Sequence, residues 1–497
     1  MAKKAAQRAL VLQGGGALGA YEAGVIKALA KKLTEEDERN GYKGERPLFD
    51  IVAGASIGAV NASILICHVL DGLREKPKRS QSECWLGAVD RLEKFWKQQV
   101  ASYTFLDNPL VKESLSWWWG NAQQASEESK EYWKNFFKPY ASQLEFRKSW
   151  PFLWWFFAWP DNYSPIASGE AARRYFSYMN SAVYSGIPGI LTAGIPQPAD
   201  MKFLSPLSTF WRFDNTPAIV TMKDYWVKDS QYIKTQEGEP RLLLVAVDVQ
   251  DCTTAVTFDS YPKKDGKHFS EYGGDKTERV IEYEGIAMDH VLASMSTDQR
   301  YEFPSMKTTK GEERFFWDGA YLSNTPLREV LQLHRDYWSK VRGGEVPDLE
   351  VYIINLYPSL ESQVPQEPDS IQDREIDIKF HDRTKYDLKV AQVTTDYVDL
   401  ANELIDLAKN NKLGDKVEAI LERGAKSKKR DGTSRKYRDL LDGRFAIERA
   451  VYVEREDDKD TIFGKAFDFS SSTIIELFKK GEEAGDKAYE RATTKTF

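Results

Sequence analysis

The stretch that decides the fold is residues 49–62, which read FDIVAGASIGAVNA. Its first five residues are mostly apolar and predict a buried strand, and the apolar spacing from Val60 onward predicts a helix. Gly54 and Gly58 flank Ser56 at the junction, where a sharp strand-to-helix turn needs residues without side chains. The pattern is the G-x-S-x-G nucleophile elbow, typical of acyl transfer, although glycine and serine also form ordinary turns. The rest of the chain decides between these interpretations.

A second strand, turn and helix is predicted near the start of the chain. Residues 9–13 are mostly apolar, Gly14, Gly15 and Gly16 follow, and apolar residues recur at helical spacing after Gly19. Backbone N–H groups at a helix N-terminus stabilise negative charge. The glycine loop therefore suits either a bound pyrophosphate or an oxyanion that develops during a reaction.

The same glycines satisfy the G-x-G-x-x-G pattern of dinucleotide-binding proteins. That function also needs an acidic residue at the end of the next strand, about 20 residues on, to bind the ribose. Here Glu35, Glu36 and Asp37 lie in a charged segment, and the next strand ends at the serine turn. We therefore favour an oxyanion hole, and keep as the alternative a nucleotide- or lipid-binding protein without catalysis.

Composition narrows the class of protein and its surroundings. A chain of 497 residues predicts two or three domains, and a formal net charge of −7 argues against a nucleic-acid partner. Cys67, Cys84 and Cys252 have no metal-ligand spacing, so they predict no metal site and fit a reducing compartment. The first eight residues contain no apolar signal-peptide segment, so we expect the protein in the cytoplasm.

Residues 81–238 interrupt the strand pattern and predict an aromatic-rich insertion. Trp85 and Trp96 mark an amphipathic helix at its start, and further tryptophans come in runs at 117–119 and 150–160. The second run is too short to span a bilayer, because ten helical residues rise about 15 Å and a hydrocarbon core is about 30 Å thick. Two interpretations stay open: the aromatic side chains fill a core, or they contact a membrane surface.

The strand pattern returns after the insertion. The apolar run 241–249 predicts a central parallel strand. Four further elements are predicted: a strand at 254–258, a helix at 286–295, a strand, turn and strand at 314–322, and a strand at 351–356. Taken alone, Asp318-Gly319 in the third element suits an ordinary type I′ hairpin turn.

Beyond residue 360 the chain becomes polar and mostly helical. An a/d seam predicts one long helix with Val390, Val393, Tyr397, Leu400, Leu404 and Leu407 spaced three and four apart. We expect this seam to dock on the catalytic domain, and a homodimer through a second copy is the alternative. A basic patch at 423–438 suits a solvated loop or, as a second choice, contact with anionic lipid.

Three blocks, in this order, closely resemble the signature blocks of bacterial patatin-like phospholipases: residues 12–19 (LQGGGALG), 54–58 (GASIG) and 318–320 (DGA). Flanking residues agree with that family, namely Ala293-Ser294, Phe303-Pro304 and Asn324-Thr325-Pro326. The order and spacing of three blocks are far more specific than any one block. The resemblance covers roughly residues 8–72 and 240–358, and the remainder resembles a bacterial subgroup with an insertion and a C-terminal extension.

The resemblance implies an α/β fold, a three-layer α/β/α sandwich with a mainly parallel central sheet. Residues 1–360 are then the catalytic domain, with 81–238 as an insertion or lid, and 361–497 are an α-rich extension. The implied chemistry is hydrolysis of fatty-acyl esters of phospholipids or lysophospholipids, with no cofactor or metal. Such a protein is expected to contact the inner membrane surface transiently.

The resemblance also implies a role for each site residue. Ser56 is the nucleophile and Asp318 its base in a serine–aspartate dyad, and the N–H groups of the loop from Gly14 to Gly16 form the oxyanion hole. Gly54 and Gly58 shape the elbow. An ordinary aspartate, with a pKa of about 3.9, is a poor base for a hydroxyl, so we expect burial to raise the pKa of Asp318.

A Ser-His-Asp hydrolase is the nearest competing catalytic arrangement. His334 and His381 follow Asp318 in the chain order that such enzymes use. Neither lies in a glycine-rich or strand-end context, so we interpret both as surface residues. His68 and His290 lie in apolar helical stretches and are expected to be structural.

Overall fold

The structure is a computed structural model that describes thirteen ranges of residues. They are 6–102, 173–174, 177–184, 186–193, 213–263, 265–273, 279–296, 303–361, 364–365, 368–381, 383–428, 433–456 and 464–494. The tryptophan runs at 117–119 and 150–160 therefore lie outside the described residues, and the question of core filling or membrane contact stays open for them.

A mixed, mostly parallel sheet of eight strands forms the centre of the protein. Its strands are β1 (Gln7–Leu12), β2 (Ile51–Ala55), β6 (Arg241–Asp248), β7 (Asp251–Asp259), β10 (Ser305–Lys307), β11 (Glu313–Asp318), β12 (Leu349–Asn355) and β15 (Ile447–Glu454). The order is β10-β11-β6-β2-β1-β12-β15, with β7 also paired to β6. Five neighbouring strands, β6, β2, β1, β12 and β15, are parallel. Strands β7, β10 and β11 pair antiparallel with their neighbours.

In the described part of the chain, seven further strands lie in smaller sheets outside this one. They are β3 (Gly186–Ile187), β4 (Leu191–Ala193), β5 (Phe213–Asp214), β8 (His268–Tyr272), β9 (Arg279–Tyr283), β13 (Gly424–Lys428) and β14 (Ser434–Lys436). Strands β13 and β14 carry the described part of the predicted basic patch, without residues 429–432, and most of their side chains are exposed.

Eleven helices belong to the described ranges. They are α1 (Gly19–Arg39), α2 (Ile57–Arg74), α3 (Gln81–Lys94), α4 (Thr216–Tyr225), α5 (Met288–Met295), α6 (Leu327–Asp336), α7 (Pro368–Phe380), α8 (Thr384–Asn410), α9 (Gly414–Leu421), α10 (Arg438–Leu441) and α11 (Ser471–Thr494). Short 3₁₀ helices also occur at Gly16–Leu18, Gly319–Tyr321 and Lys465–Phe467.

Helices cover both faces of the sheet, because alternate side chains of each buried strand point to opposite sides. On one face Leu10 and Val52 join the apolar side chains of α1, α2, α3 and α11 in the larger core cluster. On the other face Val11 and Ala53 pack with Leu327 of α6 in a second cluster. The predicted α/β sandwich with a mainly parallel sheet is confirmed.

Helix α2 has the length and composition of a membrane span, but 83% of it is buried inside the protein. It follows the elbow serine directly and packs against β2 and α3. Its length and apolar composition are therefore those of a helix buried in the protein core.

The start of the insertion belongs to the same core. Trp85 and Trp96 are fully buried, and Trp85 packs edge-on against Phe49 with ring centroids 5.5 Å apart. The amphipathic helix that the sequence predicts around them is α3, which carries Trp85 and continues into a π-helical turn, Phe95–Val100, that carries Trp96. In this part of the insertion the aromatic side chains fill the core.

One predicted element is wrong. The segment 314–322 is a strand that ends at Asp318 and continues into a 3₁₀ helix, not a hairpin with a second strand. The Asp318 side chain accepts a hydrogen bond from the Ala320 N–H at 2.8 Å, which starts the 3₁₀ turn and turns the chain away from the sheet.

The C-terminal extension is mostly helical and is also part of the central sheet. Strand β15 lies beyond the boundary predicted at residue 360, yet it pairs parallel with the whole of β12, from Leu349 to Asn355. Helix α11 packs along α1, and their backbones approach closely because a Cβ atom on Gly24 or Gly481 would lie 2.0 or 2.1 Å from a carbonyl oxygen of the other helix. The extension and the N-terminal part therefore share one core.

The expected docking of the α8 seam on the catalytic domain is not what the structure contains. The predicted long helix is present, but its seam residues are exposed. Helix α8 instead packs through its opposite side, which includes the buried Thr384 and Val398. Seam spacing alone does not reveal which side of a helix meets the rest of the chain.

Candidate active site

The serine elbow connects β2 to α2 within a single residue. Ser56 has φ 55° and ψ −127°, a left-handed backbone conformation that costs a residue with a side chain about 1–3 kcal/mol. Close packing holds it there: a Cβ atom on Gly54 would lie 2.3 Å from the Gly58 carbonyl, and one on Gly58 would lie 2.9 Å from the Leu12 oxygen. Both elbow glycines are therefore required by close contact with their neighbours, since neither has a positive φ.

Helix α5 fixes the orientation of the elbow. The Ser56 N–H donates to the backbone oxygen of Ser294 at 3.0 Å and to its hydroxyl at 3.1 Å. The Ser294 hydroxyl in turn donates to the Val245 oxygen of β6 at 2.6 Å. In the sequence Ala293-Ser294 is recognisable only as a flanking agreement with the family, whereas in the structure Ser294 positions the elbow.

Asp318 is the last residue of β11 and is fully buried. Strand β11 pairs with β6, which in turn pairs with β2, the strand that leads into the elbow. The Asp318 N–H donates to the Ser296 oxygen at 2.9 Å, and its Oδ1 accepts from Ala320. A Cβ atom on Gly319 would lie 2.3 Å from the Val245 oxygen, so the residue after the aspartate must be glycine. The DGA block is thus a tight junction against β6.

The pKa of Asp318 is raised to about 7. Burial is the main cause, because removal from water disfavours the charged form, while hydrogen bonding with the Ser56 side chain and the Ala320 backbone opposes the rise. Within the described structure Oδ2 has no partner of good hydrogen-bond geometry. A buried carboxyl with this pKa, next to a serine hydroxyl, can take a proton near neutral pH.

The glycine loop passes directly over Ser56. A Cβ atom on Gly14 would lie 2.7 Å from the Ser56 Cβ, 2.6 Å from Asn324 Oδ1 and 3.3 Å from the Ala320 Cβ. The Gly14 N–H donates to Asn324, to its backbone oxygen at 3.2 Å and to Oδ1 at 3.0 Å. This N–H group is therefore already engaged.

The next two glycines differ from Gly14. Among the residues that the structure describes, the N–H groups of Gly15 and Gly16 have no hydrogen-bond acceptor. Gly15 caps and Gly16 begins a 3₁₀ turn that leads into α1, where helix-end N–H groups favour negative charge. Gly16 also has φ 56° and touches the Ala466 carbonyl, which a Cβ atom would approach to 2.2 Å.

A buried polar network lies beneath the loop. Glu22 of α1 accepts hydrogen bonds from the Gln13 N–H at 2.7 Å and from Asn61 Nδ2 at 2.9 Å, and Asn61 Oδ1 accepts from Trp96 Nε1 at 2.9 Å. Burial raises the pKa of Glu22 well above its usual range, although the bonds from Asn61 and Gln13 oppose the rise. The network joins the ends of β1, α1 and α2 to the insertion.

Three residues of the site, Glu22, Asn61 and Asn324, were not predicted from the sequence. Asn324 was visible only in the flanking text after the aspartate. Glu22 gave a weaker signal, namely a carboxylate adjacent to the apolar face of a helix that follows a glycine loop. Their importance depends on contacts between distant segments, which spacing does not show.

The C-terminal extension also reaches this region. The Phe380 oxygen at the end of α7 accepts from Asn324 Nδ2 at 2.8 Å and from Gln13 Nε2 at 3.3 Å. The Phe380 ring packs with Tyr321 and Tyr357. Residues on both sides of the predicted domain boundary therefore surround the glycine loop.

The two histidines of the competing Ser-His-Asp arrangement are engaged elsewhere. His334 is fully buried rather than on the surface, its Nε2 lies 2.8 Å from the Pro347 oxygen, and burial lowers its pKa to about 4. His381 Nδ1 lies 3.0 Å from the Tyr357 oxygen. Across the described segments, neither histidine has a hydrogen bond to Ser56 or Asp318.

In the ranges that the structure describes, no group of three His, Cys, Asp or Glu side chains could hold a metal ion. Cys67 and Cys84 are buried and Cys252 is exposed, and all three are free thiols.

The central sheet is mostly parallel, and three features meet at its edge: a strained serine at a strand-to-helix turn, a glycine loop above it and a buried aspartate. This combination is typical of the class of α/β acyl hydrolases. A family model described as Patatin-like phospholipase matches residues 10–331. The chain belongs to the patatin-like phospholipase family, and membership supports lipid acyl hydrolase activity in general. A comparison with curated protein sequences finds no match.

Proposed function

We propose that the protein hydrolyses fatty-acyl esters of phospholipids or lysophospholipids with a Ser56–Asp318 dyad. The observation that carries this proposal is the strained Ser56 beside a buried carboxyl whose pKa is raised to about 7. The backbone strain of Ser56 and the burial of the Asp318 carboxyl both cost stability. Their occurrence in neighbouring residues indicates a site that is retained for chemistry.

In the first half of the reaction Ser56 Oγ attacks the ester carbonyl carbon and its proton passes to Asp318. The carbonyl electron pair moves onto oxygen, and the resulting oxyanion accepts hydrogen bonds from the unengaged N–H groups of Gly15 and Gly16. Collapse of this intermediate expels the alcohol portion of the lipid, which takes the proton from Asp318. The fatty acyl group remains on Ser56 as an ester.

In the second half water replaces the alcohol. Asp318 accepts a proton from the attacking water, a second oxyanion forms in the same position, and Ser56 leaves with the proton as the fatty acid departs. Gly14 supports this geometry indirectly, because its N–H binds Asn324 and holds the loop against the aspartate segment. The lack of a Cβ atom at Gly14 keeps the loop in contact with Ser56.

The experiment is product analysis by mass spectrometry after incubation with phospholipid and lysophospholipid vesicles. Wild type is expected to release free fatty acid, and Ser56→Ala and Asp318→Asn are each expected to lower the rate at least about a hundredfold. Ser305→Ala, an exposed serine that binds Glu313, is the matched control and should retain full activity. Full activity of Asp318→Asn would exclude the dyad, and phospholipid binding without any released fatty acid would favour the non-catalytic alternative.

A further inference from the structure

Helix α8 presents an apolar stripe to solvent along its whole length. The stripe is defined by seven residues that alternate in spacing between four and three and are 41–70% exposed: Tyr386, Val390, Val393, Tyr397, Leu400, Leu404 and Leu407. The helix has 27 residues and is therefore about 40 Å long. A continuous exposed apolar surface of this kind marks an interaction site.

The spacing identifies the kind of partner. Apolar residues with a mean repeat of 3.5 form the a and d positions of a coiled coil, which pack against a second helix of the same pattern. Val390, Tyr397 and Leu404 take the a position, and the other four residues of the stripe take the d position. The stripe therefore suits another helix better than a flat surface.

The two edges of the stripe decide the orientation of that helix. One edge carries Asp387, which forms an ion pair with Arg328, followed by the small side chains of Thr394, Ala401 and Ala408; each lies one residue after a d position. The other edge carries exposed charges at Lys389, Asp396 and Glu403, seven residues apart, one before each a position. Within the described part of the chain, none of these three charged side chains takes part in an ion pair.

We propose that the apolar stripe of α8 pairs antiparallel with the same stripe of a second copy. With the two-fold axis near residue 395, Val393 packs against the partner's Tyr397, and Val390 packs against the partner's Leu400. The same register brings Lys389 beside the partner's Glu403, and it does so twice by symmetry. Charge complementarity at both ends is the reason to choose this occupant.

Other arrangements leave the charges unsatisfied. In a parallel pair Lys389 faces the partner's Thr394, and no opposite charges meet. An anionic membrane would be repelled by Asp396, Asp399, Glu403 and Asp406, which line the C-terminal half of the helix. Asp396 meets the partner's Asp396 at the antiparallel axis, where exposure to water and salt screens the repulsion.

The first test is the molecular mass of the full chain by light scattering and sedimentation equilibrium. We expect a concentration-dependent dimer for wild type, and an increase of about tenfold in the dissociation constant for Lys389→Glu or Glu403→Lys alone. The double variant Lys389→Glu/Glu403→Lys should restore wild-type dimerisation. Asp399→Lys changes charge on the same helix outside the stripe edges and should leave dimerisation unchanged.

The second test is cross-linking through the axis. In a Cys252→Ser background, Asp396→Cys is expected to form a covalent dimer with a short bis-maleimide, and Asp399→Cys is not. Three outcomes would overturn the proposal: a wild-type monomer at the highest soluble concentration, a double charge variant weaker than both single ones, or no Asp396→Cys cross-link. The stripe does not include Ser56, so dimerisation does not depend on catalysis. Ser56→Ala is therefore expected to dimerise like wild type.

Discussion

Ser56 and Asp318 both occupy states that an isolated residue avoids. The backbone of Ser56 is left-handed, and the Asp318 carboxyl is removed from water with a pKa raised to about 7. The usual pKa of an aspartate is 3.8 on the same scale. Between these two values the folded protein binds a proton that the unfolded chain has lost, so stability declines as the pH rises through this window.

This linkage predicts the effect of Asp318→Asn on stability. At pH 8 the free energy of unfolding of the variant is expected to be higher by on the order of 4 kcal/mol, because the burial cost of the charged form is gone. At pH 4 the two proteins should be nearly equally stable. Denaturant unfolding at both pH values measures the difference, with the exposed Asp399→Asn as the control, and a pH-independent difference would contradict the assignment.

The same pKa predicts the pH dependence of the reaction. Because Asp318 must be ionised to accept the proton of Ser56, kcat/KM for a soluble short-chain ester should fall about tenfold per pH unit below pH 7. Above that value it should be level. Initial rates between pH 5 and pH 9 provide the measurement, and a plateau that extends down to pH 5 would contradict a base with this pKa.

At the scale of elements, local features were predictable and long-range ones were not. The β2 elbow and the glycine loop before α1 are visible in sequence because their glycines and apolar runs are contiguous. Asp318-Gly319 misled the strand prediction, since its turn type depends on a hydrogen bond and on contact with Val245. Strand β15 was missed, because its pairing with β12 joins segments about a hundred residues apart.

One buried ion cluster connects the elements of the extension. Lys465 Nζ lies 2.9 Å from Asp373 Oδ2 and 2.6 Å from Asp377 Oδ1, and all three side chains are at most 6% exposed. The cluster ties α7 to the 3₁₀ helix whose Ala466 carbonyl touches Gly16. It therefore links the extension to the glycine loop.

Lys465→Met is expected to lower the free energy of unfolding by about 3–5 kcal/mol, because two buried carboxylates lose their common counter-charge. Lys385→Met is the matched control, since its bond to Glu454 at 2.7 Å is exposed on the lysine side and should contribute less than about 1 kcal/mol. Chemical denaturation of both variants provides the comparison. Equal losses would show that burial of the Lys465 cluster has no special effect.

For the whole molecule, the structure joins regions that the sequence suggested were separate. The patterns in the chain predicted a catalytic domain up to residue 360 and an added helical extension. In the structure β15 extends the central sheet, and α11 covers α1 through close glycine contacts. The exposure of the α8 seam could not be predicted either, because residue spacing does not show whether a seam is covered by its own chain or by another.

This organisation predicts the result of truncation. A chain of residues 1–360 exposes the paired edge of β12 and the apolar side of α1, so it should aggregate or fail to fold. Size-exclusion chromatography and circular dichroism of the truncated and full-length chains provide the test. A monomeric 1–360 chain with cooperative unfolding would show instead that the extension is a separate unit.

The most direct test of the central claim is covalent labelling by a fluorophosphonate, followed by peptide mass spectrometry. We predict one label per chain, located on Ser56, at a rate that is at least about a hundredfold lower in Asp318→Asn. Ser305→Ala should label like wild type. A label on another serine, or equal labelling rates for wild type and Asp318→Asn, would contradict the dyad.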